Sequence, residues 1–497
     1  MMESFFDVVE FLAKNGLVTG RFLPYNPKLR GICDDSRKSN NFLLFVCIEG
    51  TYFDSHSVAS GTPAAAFICQ KSIDTDKPFV VVKDSRLALA LISYEFYGKA
   101  YERLKSFSVT GTKGKTTAVI LFKEIMSFAD KKCALASTVL NSTPFYSEFS
   151  EHTTQSSLYT AKLLNRALTE GAEFASIEAS SQGLEMKRLD GYHFDRVAFL
   201  NLTRDHFDTH MNFENYFNAK VHLLDLVKPD GVVFVNSNSG KWANKYASLA
   251  RKRDLKVVTY GQHGDVILRV IREDDDGITF TLKVEGSIHE FFSPVIGSFM
   301  AENMTASILA AHSFGIDFGL IKKVVRNFKG VEGRLERYCG KGYDFYVDFA
   351  HTPAALGAVL KTVKKLAKGR VIVVFGAGGE ADRGKRPLMG KMAQQYADVI
   401  FLTNDNPKSE DPMVIINEVA SGISKRSKLN IVPDRREAIK KAFMEWREND
   451  RVVIAGKGHE RTQIFDGYEI PFNDRDVAFE ILKEMGKFET FGSCKSC

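Results

Sequence analysis

Ser108-Val109-Thr110-Gly111-Thr112-Lys113-Gly114-Lys115-Thr116-Thr117 brings together the residue types that grip a phosphate. Glycines let backbone N–H groups close on an anion, Lys115 adds a cation, and Thr116 offers a hydroxyl to Mg2+. An apolar run, Phe107 to Val109, enters the loop, and an amphipathic pattern (Val119, Ile120, Phe122, Ile125, Met126) leaves it. That is a strand, a turn and a helix. The loop departs from the common G-x-x-x-x-G-K-[ST] form, because Val109 stands where the first glycine belongs. It reads G-T-x-G-K-T-T over Gly111, Thr112, Lys113, Gly114, Lys115, Thr116 and Thr117. A Gly-Lys-Thr triplet alone is an ordinary turn; placed between strand and helix it predicts nucleotide binding.

Three other clusters could do chemistry. The run Phe174 to Ile177 predicts a strand that ends on Glu178, and a carboxylate at the carboxyl end of a parallel strand lies on the ligand-binding edge. Glu178 is therefore a candidate Mg2+ ligand. A second predicted strand, Val197 to Leu202, delivers Asp205, His206, Asp208 and His210 to the same edge, a set suited to a second metal in phosphoryl transfer. His152-Thr153-Thr154 could bind a carboxylate or phosphate, or equally cap a helix. Lys220, in the helical run Tyr216 to Leu224, reads from composition as a solvated helix residue.

The elements that must position these groups fill a long chain. At 497 residues it calls for about three domains. With 44% hydrophobic and 26% charged residues it is globular rather than disordered. A net charge of +6, from 67 basic and 61 acidic residues without a dense basic block, points to neither nucleic acid nor membrane. The acidic N-terminus lacks a leader pattern, and no apolar run approaches the ~20 residues of a membrane span. Seven scattered cysteines, including a lone C-x-x-C at Cys494 and Cys497, suit a reducing cytoplasm, and a cytoplasmic monomer is expected. Residues 104–330 alternate strand and helix as a doubly wound parallel sheet should, and a further alternation follows from Asp344 to Thr403.

The variant loop resembles that of the Mur ligase family, the ATP-dependent amide-forming ligases of peptidoglycan precursor synthesis, and of their folylpolyglutamate synthetase relatives. Further motifs carry the resemblance along nearly the whole chain. They are Asp35-Ser36-Arg37 with Leu44-Phe45-Val46-Cys47, Glu178-Ala179-Ser180-Ser181-Gln182-Gly183-Leu184, Asp205-His206-Phe207-Asp208-Thr209-His210, and Gly333-Arg334-Leu335-Glu336. Asp348-Phe349-Ala350-His351-Thr352-Pro353, Gly456-Lys457-Gly458-His459-Glu460 and Phe472-Asn473-Asp474-Arg475 complete them. The resemblance implies an α/β protein of three domains: residues 1–103 for a uridine diphosphate substrate, 104–330 for ATP around a P-loop-type parallel sheet, and a Rossmann-like 331–497 for an amino acid.

It also implies roles for residues. Asp34, Ser36, Thr51, Tyr52 and Phe53 would line the nucleotide end of the substrate, and His152, Thr153, Thr154, Ser180 and Arg188 its sugar-peptide. Asn303 would meet adenine, Arg334 the ATP phosphates, and Asp348 and His351 the nucleotide across a cleft. Lys220 would be carbamylated by CO2, beside metal ligands Thr116, Glu178 and His206; Lys115, Glu178, His206, Lys220 and Arg334 would be catalytic. Asp405, Asn406, Pro407, Lys408, Gly456 and Glu460 would hold the incoming amino acid. Departures from the family pattern include Ser55 for Gly, His152 for Asn, Met186 for Gln, Met300 for Asn and Asn473 for Asp.

The implied reaction makes an acyl phosphate from a carboxylate and ATP, then an amide from that and an amine. Motif order and spacing fit the branch that adds a third residue to UDP-N-acetylmuramoyl-L-alanyl-D-glutamate. Relatives taking meso-diaminopimelate read its distal carboxylate with two arginines; here Ala381 and Lys408 stand at those positions. Losing a guanidinium fork costs a buried carboxylate about 1.5–3 kcal/mol. Lysine is therefore the expected acceptor, with meso-diaminopimelate the alternative and Arg383 a possible substitute cation. The rivals are a folylpolyglutamate-type ligase, against which the Asp35-Ser36-Arg37 segment speaks, and a binding protein that has lost catalysis.

Overall fold

The computed structural model describes residues 2–50, 53–340 and 343–487. Thr51, Tyr52, Cys494 and Cys497 lie outside them. Among the described residues the strands form three large sheets and one hairpin, in chain order. The chain begins with the helix Phe5–Lys14, closed by a capping box between Ser4 and Asp7. This helix and Ser85–Phe96 pack on a five-stranded sheet whose edge strands are Val18–Phe22 and Gly31–Cys33. The turn Ser36–Lys38 follows, its first N–H groups taken by Asp35, whose carboxylate also forks Arg37.

The strand Lys105–Thr110 lies at the middle of the large sheet, between Phe174–Glu178 and Phe194–Phe199, all parallel. Every residue of Phe174–Glu178 is buried, as expected of a strand covered on both faces. The three carboxyl ends therefore open on one edge, where the phosphate loop, Glu178 and Asp205 follow. The helix Lys115–Phe128 leaves the loop and packs against Ser298–Ser313, sealed by a bond from Ser307 Oγ to the Ala118 carbonyl (2.7 Å). That second helix begins at Ser298, so Asn303 sits inside it, one to two turns from its start. Beyond the parallel part, Val266–Asp274, Gly277–Val284 and Ser287–Ser293 extend the sheet as an antiparallel meander that the alternating pattern did not predict. At the first turn of this meander, Asp275 accepts from Arg451 (2.6 Å) through its carboxylate and from Arg337 (2.8 Å) through its carbonyl.

The third sheet runs Glu336–Gly340, Tyr343–Asp348, Arg451–Ala455, Val371–Phe375, Val399–Leu402, Leu429–Ile431; the first pairing is antiparallel and the rest parallel. Four parallel strands thus end side by side and release the loops 349–352, 376–385, 403–408 and 456–460 at one edge. Arg435, fully buried, ties two of those loops down. It forks Asp474 at 2.7 and 2.8 Å and donates to the carbonyls of Asn404 and Ala455. Both side chains of that pair are 0% exposed. Asp474→Ala would strand a buried guanidinium, so a loss of about 3 kcal/mol is expected in urea unfolding of this region. An apolar double replacement, Arg435→Met with Asp474→Leu, should unfold later than the single variant.

Candidate active site

The phosphate loop can fold as it does because Gly114 has φ +92° and no side chain: Asn303 packs where a Cβ would stand. Lys115 Nζ donates to the carbonyls of Gly111 (3.0 Å) and Thr112 (3.2 Å), which curls it back over the loop. Burial pulls its ammonium down from the usual lysine range, and Arg334 adds to this while Glu178 opposes it. Asn201 braces the loop from the neighbouring strand end, accepting from the Lys113 N–H (2.9 Å) and donating to the Lys113 carbonyl (3.0 Å).

Glu178 is fully buried at its strand end. Thr138 clasps its carboxylate, donating from the backbone N–H (2.8 Å) and the hydroxyl (3.0 Å). Burial pushes the carboxyl up, while Lys115 and Arg334 pull it the other way. Thr138 also reaches Thr153 Oγ1 (3.3 Å) and Thr116 Oγ1 (3.5 Å), so hydroxyl and carboxylate oxygens converge. Thr138 has no place among the expected residues, although it too follows a parallel strand, Cys133–Ala136.

A charged chain lies beside this group. Lys113 Nζ is 3.1 Å from Asp205 Oδ2 and 3.0 Å from His351 Nε2, which is free to accept because Nδ1 faces the Phe349 carbonyl (2.8 Å). Burial and the Lys113 ammonium bring His351 down to about 4. Burial resists charge on Asp205, yet Lys113 and His351 hold its carboxyl well below the usual range. His206 Nε2 stands 3.7 Å from the same carboxylate, and burial lowers its imidazole to about 3. Its backbone is left-handed (φ +54°), as are Glu380 and Lys408 in the loops opposite; non-glycine residues so held cluster at functional sites.

Lys220 is 0% exposed, which removes the solvated reading. Its Nζ donates to the Gly111 carbonyl (3.1 Å) and lies 4.3 Å from the ring centre of Tyr216, one turn earlier. Burial, with Lys115 and Lys113 nearby, drives the amine well below the ordinary lysine range. Tyr216 in turn donates to Thr112 Oγ1 (3.2 Å).

Beyond the end of that strand, Thr154 donates to the Glu178 carbonyl (2.8 Å) and accepts from the Ser180 N–H (2.8 Å), and Arg188 donates to the Thr154 carbonyl (2.6 Å). Thr153, Thr154, Ser180 and Arg188 are brought together. His152 is not: its ring is exposed, and only its carbonyl is engaged, by Ser150 and Gln155. Nor do these threonines cap the next helix, where Ser156 takes the Tyr159 N–H. Asp34, Ser36 and the exposed Phe53 belong to the first sheet's loops.

From the third sheet, Arg334 Nη2 points at Thr116 Oγ1 (3.5 Å) and its guanidinium stacks over Phe349 (4.5 Å). Asp348, pushed up to about 6 by burial, accepts from the Leu335 N–H (2.5 Å). Both line one cleft of about 410 Å³ with the phosphate loop, Glu178 and His351. Farther along, buried Lys457 donates to Asn406 Oδ1 and Glu460 Oε2, each 2.7 Å away. Buried Asp405 Oδ2 beside Gly456 has no hydrogen-bond partner among the described residues. Lys408 sits 3.6 Å from Glu380, and Arg383 is engaged by Glu418.

The chain matches the Mur ligase middle domain over residues 109–311 and the Mur ligase, glutamate ligase domain over 333–458. A protein of Aquifex aeolicus named UDP-N-acetylmuramoyl-L-alanyl-D-glutamate--2,6-diaminopimelate ligase is 37% identical, covering 92% of this chain and 94% of its own. This chain belongs to the Mur ligase family. A Syntrophomonas wolfei protein of the same name is 36% identical over 95% of this chain and 98% of its own. A solved structure of a ligase so named superposes with TM-score 0.66 at 32% identity, covering 92% of this chain and 96% of that one. The MurF ligase of Thermotoga maritima, solved with ADP, shares the fold at TM-score 0.62 and 16% identity, covering 92% of this chain and 97% of that one. As a Mur ligase the chain is an ATP-dependent acid–amino-acid ligase working on small molecules, which removes the binding-protein rival. Among the described residues no helix is long and apolar enough to cross a membrane.

Proposed function

We propose that this ligase joins 2,6-diaminopimelate to UDP-N-acetylmuramoyl-L-alanyl-D-glutamate through an acyl phosphate, with its lobes at 1–103, 104–330 and 331–497. The observation that carries the ligation is the meeting of two strand-end edges: a phosphate loop with Glu178 from one sheet faces Arg334, Asp348 and His351 from another. The acceptor rests on the names of the relatives, which support diaminopimelate rather than the lysine expected from Ala381 and Lys408. One feature keeps lysine as a second reading. Glu380 already partly neutralises the Lys408 ammonium, and Arg383 is paired with Glu418, so either would have to leave a carboxylate of the protein to read a distal one.

In this reading Thr153, Thr154, Ser180 and Arg188 orient the sugar-peptide so that its terminal carboxylate faces the γ-phosphorus, while Asp34, Ser36 and Phe53 hold the uridine end. Lys115 and Arg334 take up charge on the transferring phosphoryl group, which is most of what a protein can do for such a transfer. The hard oxygens of Thr116 and Glu178 fit Mg2+, with His206 able to join a second ion; when bound, the metal neutralises phosphate charge. The buried amine of Lys220, in its neutral form, adds CO2 and gives up a proton to become a carbamate. That exchanges a repelled cation for an anion facing the metal site. The amino acid then enters between Asp405, Asn406, Glu460 and Gly456, its amine attacks the acyl carbon, and phosphate leaves.

The test is competition. The purified protein, given ATP, Mg2+, the UDP-linked dipeptide and equal L-lysine, D-lysine and meso-diaminopimelate, is expected to yield chiefly the diaminopimelate product. Lys408→Ala should lower kcat/KM for diaminopimelate about tenfold, as one charge-assisted bond would, and spare lysine. A dominant lysine product would install the second reading, and ADP release that ignores both substrates would remove the ligation.

A further inference from the structure

We propose that Arg204 is a positioning residue for amide formation: its fork on Asp382 draws the acceptor-binding loops onto the central sheet, separately from the contacts that serve phosphoryl transfer. The inference rests on the functional reading above. Arg204 Nε donates to Asp382 Oδ2 (2.7 Å) and Nη2 to Oδ1 (3.0 Å), a planar bidentate pair across the cleft. Isolated exposed ion pairs do little, but here the Asp382 side chain is only 7% exposed and both ends are fixed. The Arg204 backbone follows Thr203, whose N–H donates to Thr112 Oγ1 (3.0 Å), and its guanidinium lies over the Phe207 ring (4.8 Å). Asp382 also accepts from the Gly384 N–H (2.9 Å). A side chain at 384 would collide with the Arg204 guanidinium, so the loop leaves room for it.

What Asp382 pulls is a unit. The Gly379 N–H donates to the Asn406 carbonyl (2.9 Å), a Cβ on Gly379 would strike the Pro407 carbonyl, and Ser409 Oγ donates to Glu380 (2.6 Å). Asn406 is bonded onward to Lys457 and Glu460. The loops 376–385 and 405–409 and the Glu460 motif therefore move together. Phosphoryl transfer has its own ties across the same seam: Lys113 to His351, and Arg334 to Thr116. Cutting the fork frees the amine's seat and leaves those in place.

The experiment separates the two half-reactions. Hydroxylamine traps the acyl phosphate as a hydroxamate in the absence of amino acid, and ADP is compared with amide in its presence. Arg204→Ala is expected to form hydroxamate within about twofold of the wild-type rate, to raise KM for the amino acid about tenfold, and to release ADP in excess of amide. Arg204→Lys, which keeps the charge without the fork, should fall between. Asp382→Asn keeps the bond from Gly384 and should uncouple more weakly, and combining it with Arg204→Ala should add nothing. An unchanged KM and unchanged coupling in Arg204→Ala would overturn the inference. So would an equal fall of hydroxamate and amide, since Arg204 would then act on the first step. A wild-type enzyme that yields no hydroxamate would instead remove the functional reading, and this inference with it.

Discussion

Lys220→Ala is expected to lose ligation by about a thousandfold while keeping ATP affinity near that of the wild type. The amine is sealed from solvent, lies against the Gly111 carbonyl, and burial makes its charged form costly. A neutral amine is the form that adds CO2. The carbamate would place negative charge where a lysine otherwise repels metal. Lys220→Arg should fare no better than alanine, because a guanidinium cannot be carbamylated. The direction with pH follows from the stoichiometry: forming the carbamate releases protons, so acid removes it. Enzyme held at low pH and stripped of CO2 should return to neutral buffer slow and recover on adding bicarbonate. Full activity that is indifferent to bicarbonate, or an active Lys220→Arg, would show that Lys220 serves only to brace Gly111. Thermal unfolding of each variant separates that bracing from the chemistry.

Lys115→Ala is the second large effect, expected to abolish hydroxamate formation and ligation alike by about a thousandfold. Lys115 differs from Lys113 in what holds it. Lys113 is already paired with Asp205 and His351, whereas Lys115, among the described residues, is held by the carbonyls of Gly111 and Thr112 and can turn to an incoming phosphate. Removing it strips charge from the γ-phosphoryl and leaves Glu178 without its main counter-charge. Both half-reactions should therefore fall together. A Lys115→Ala enzyme that still makes hydroxamate would move phosphate recognition to Arg334.

Much of this site could be read from one strand of sequence at a time. The phosphate loop, Glu178 and His206 each follow an apolar run, so a local pattern gives both the strand and the group at its end. What depends on two distant stretches could not be read that way. Thr138 shows nothing in sequence until Glu178 is laid beside it, and Asp382 pairs with Arg204 across 178 residues. His152 shows the opposite failure: its place in a motif says nothing of where the ring turns, and here it turns outward. The meander from Val266 to Ser293 is hard to read because its outer strands, Val266–Asp274 and Ser287–Ser293, carry runs of exposed residues that blur a period of two.

The turn at Asp275 sits at the tip of that meander, and it receives Arg337 and Arg451 from the third sheet. It works as a spacer of set length. Adding two residues to each flanking strand would carry the tip outward by about 7 Å at the usual rise of an extended chain. The lobe bearing Arg334 would then be propped at a new angle and its arginine held off the phosphate loop. The reach of this hairpin would therefore set the distance between Arg334 and the phosphate loop.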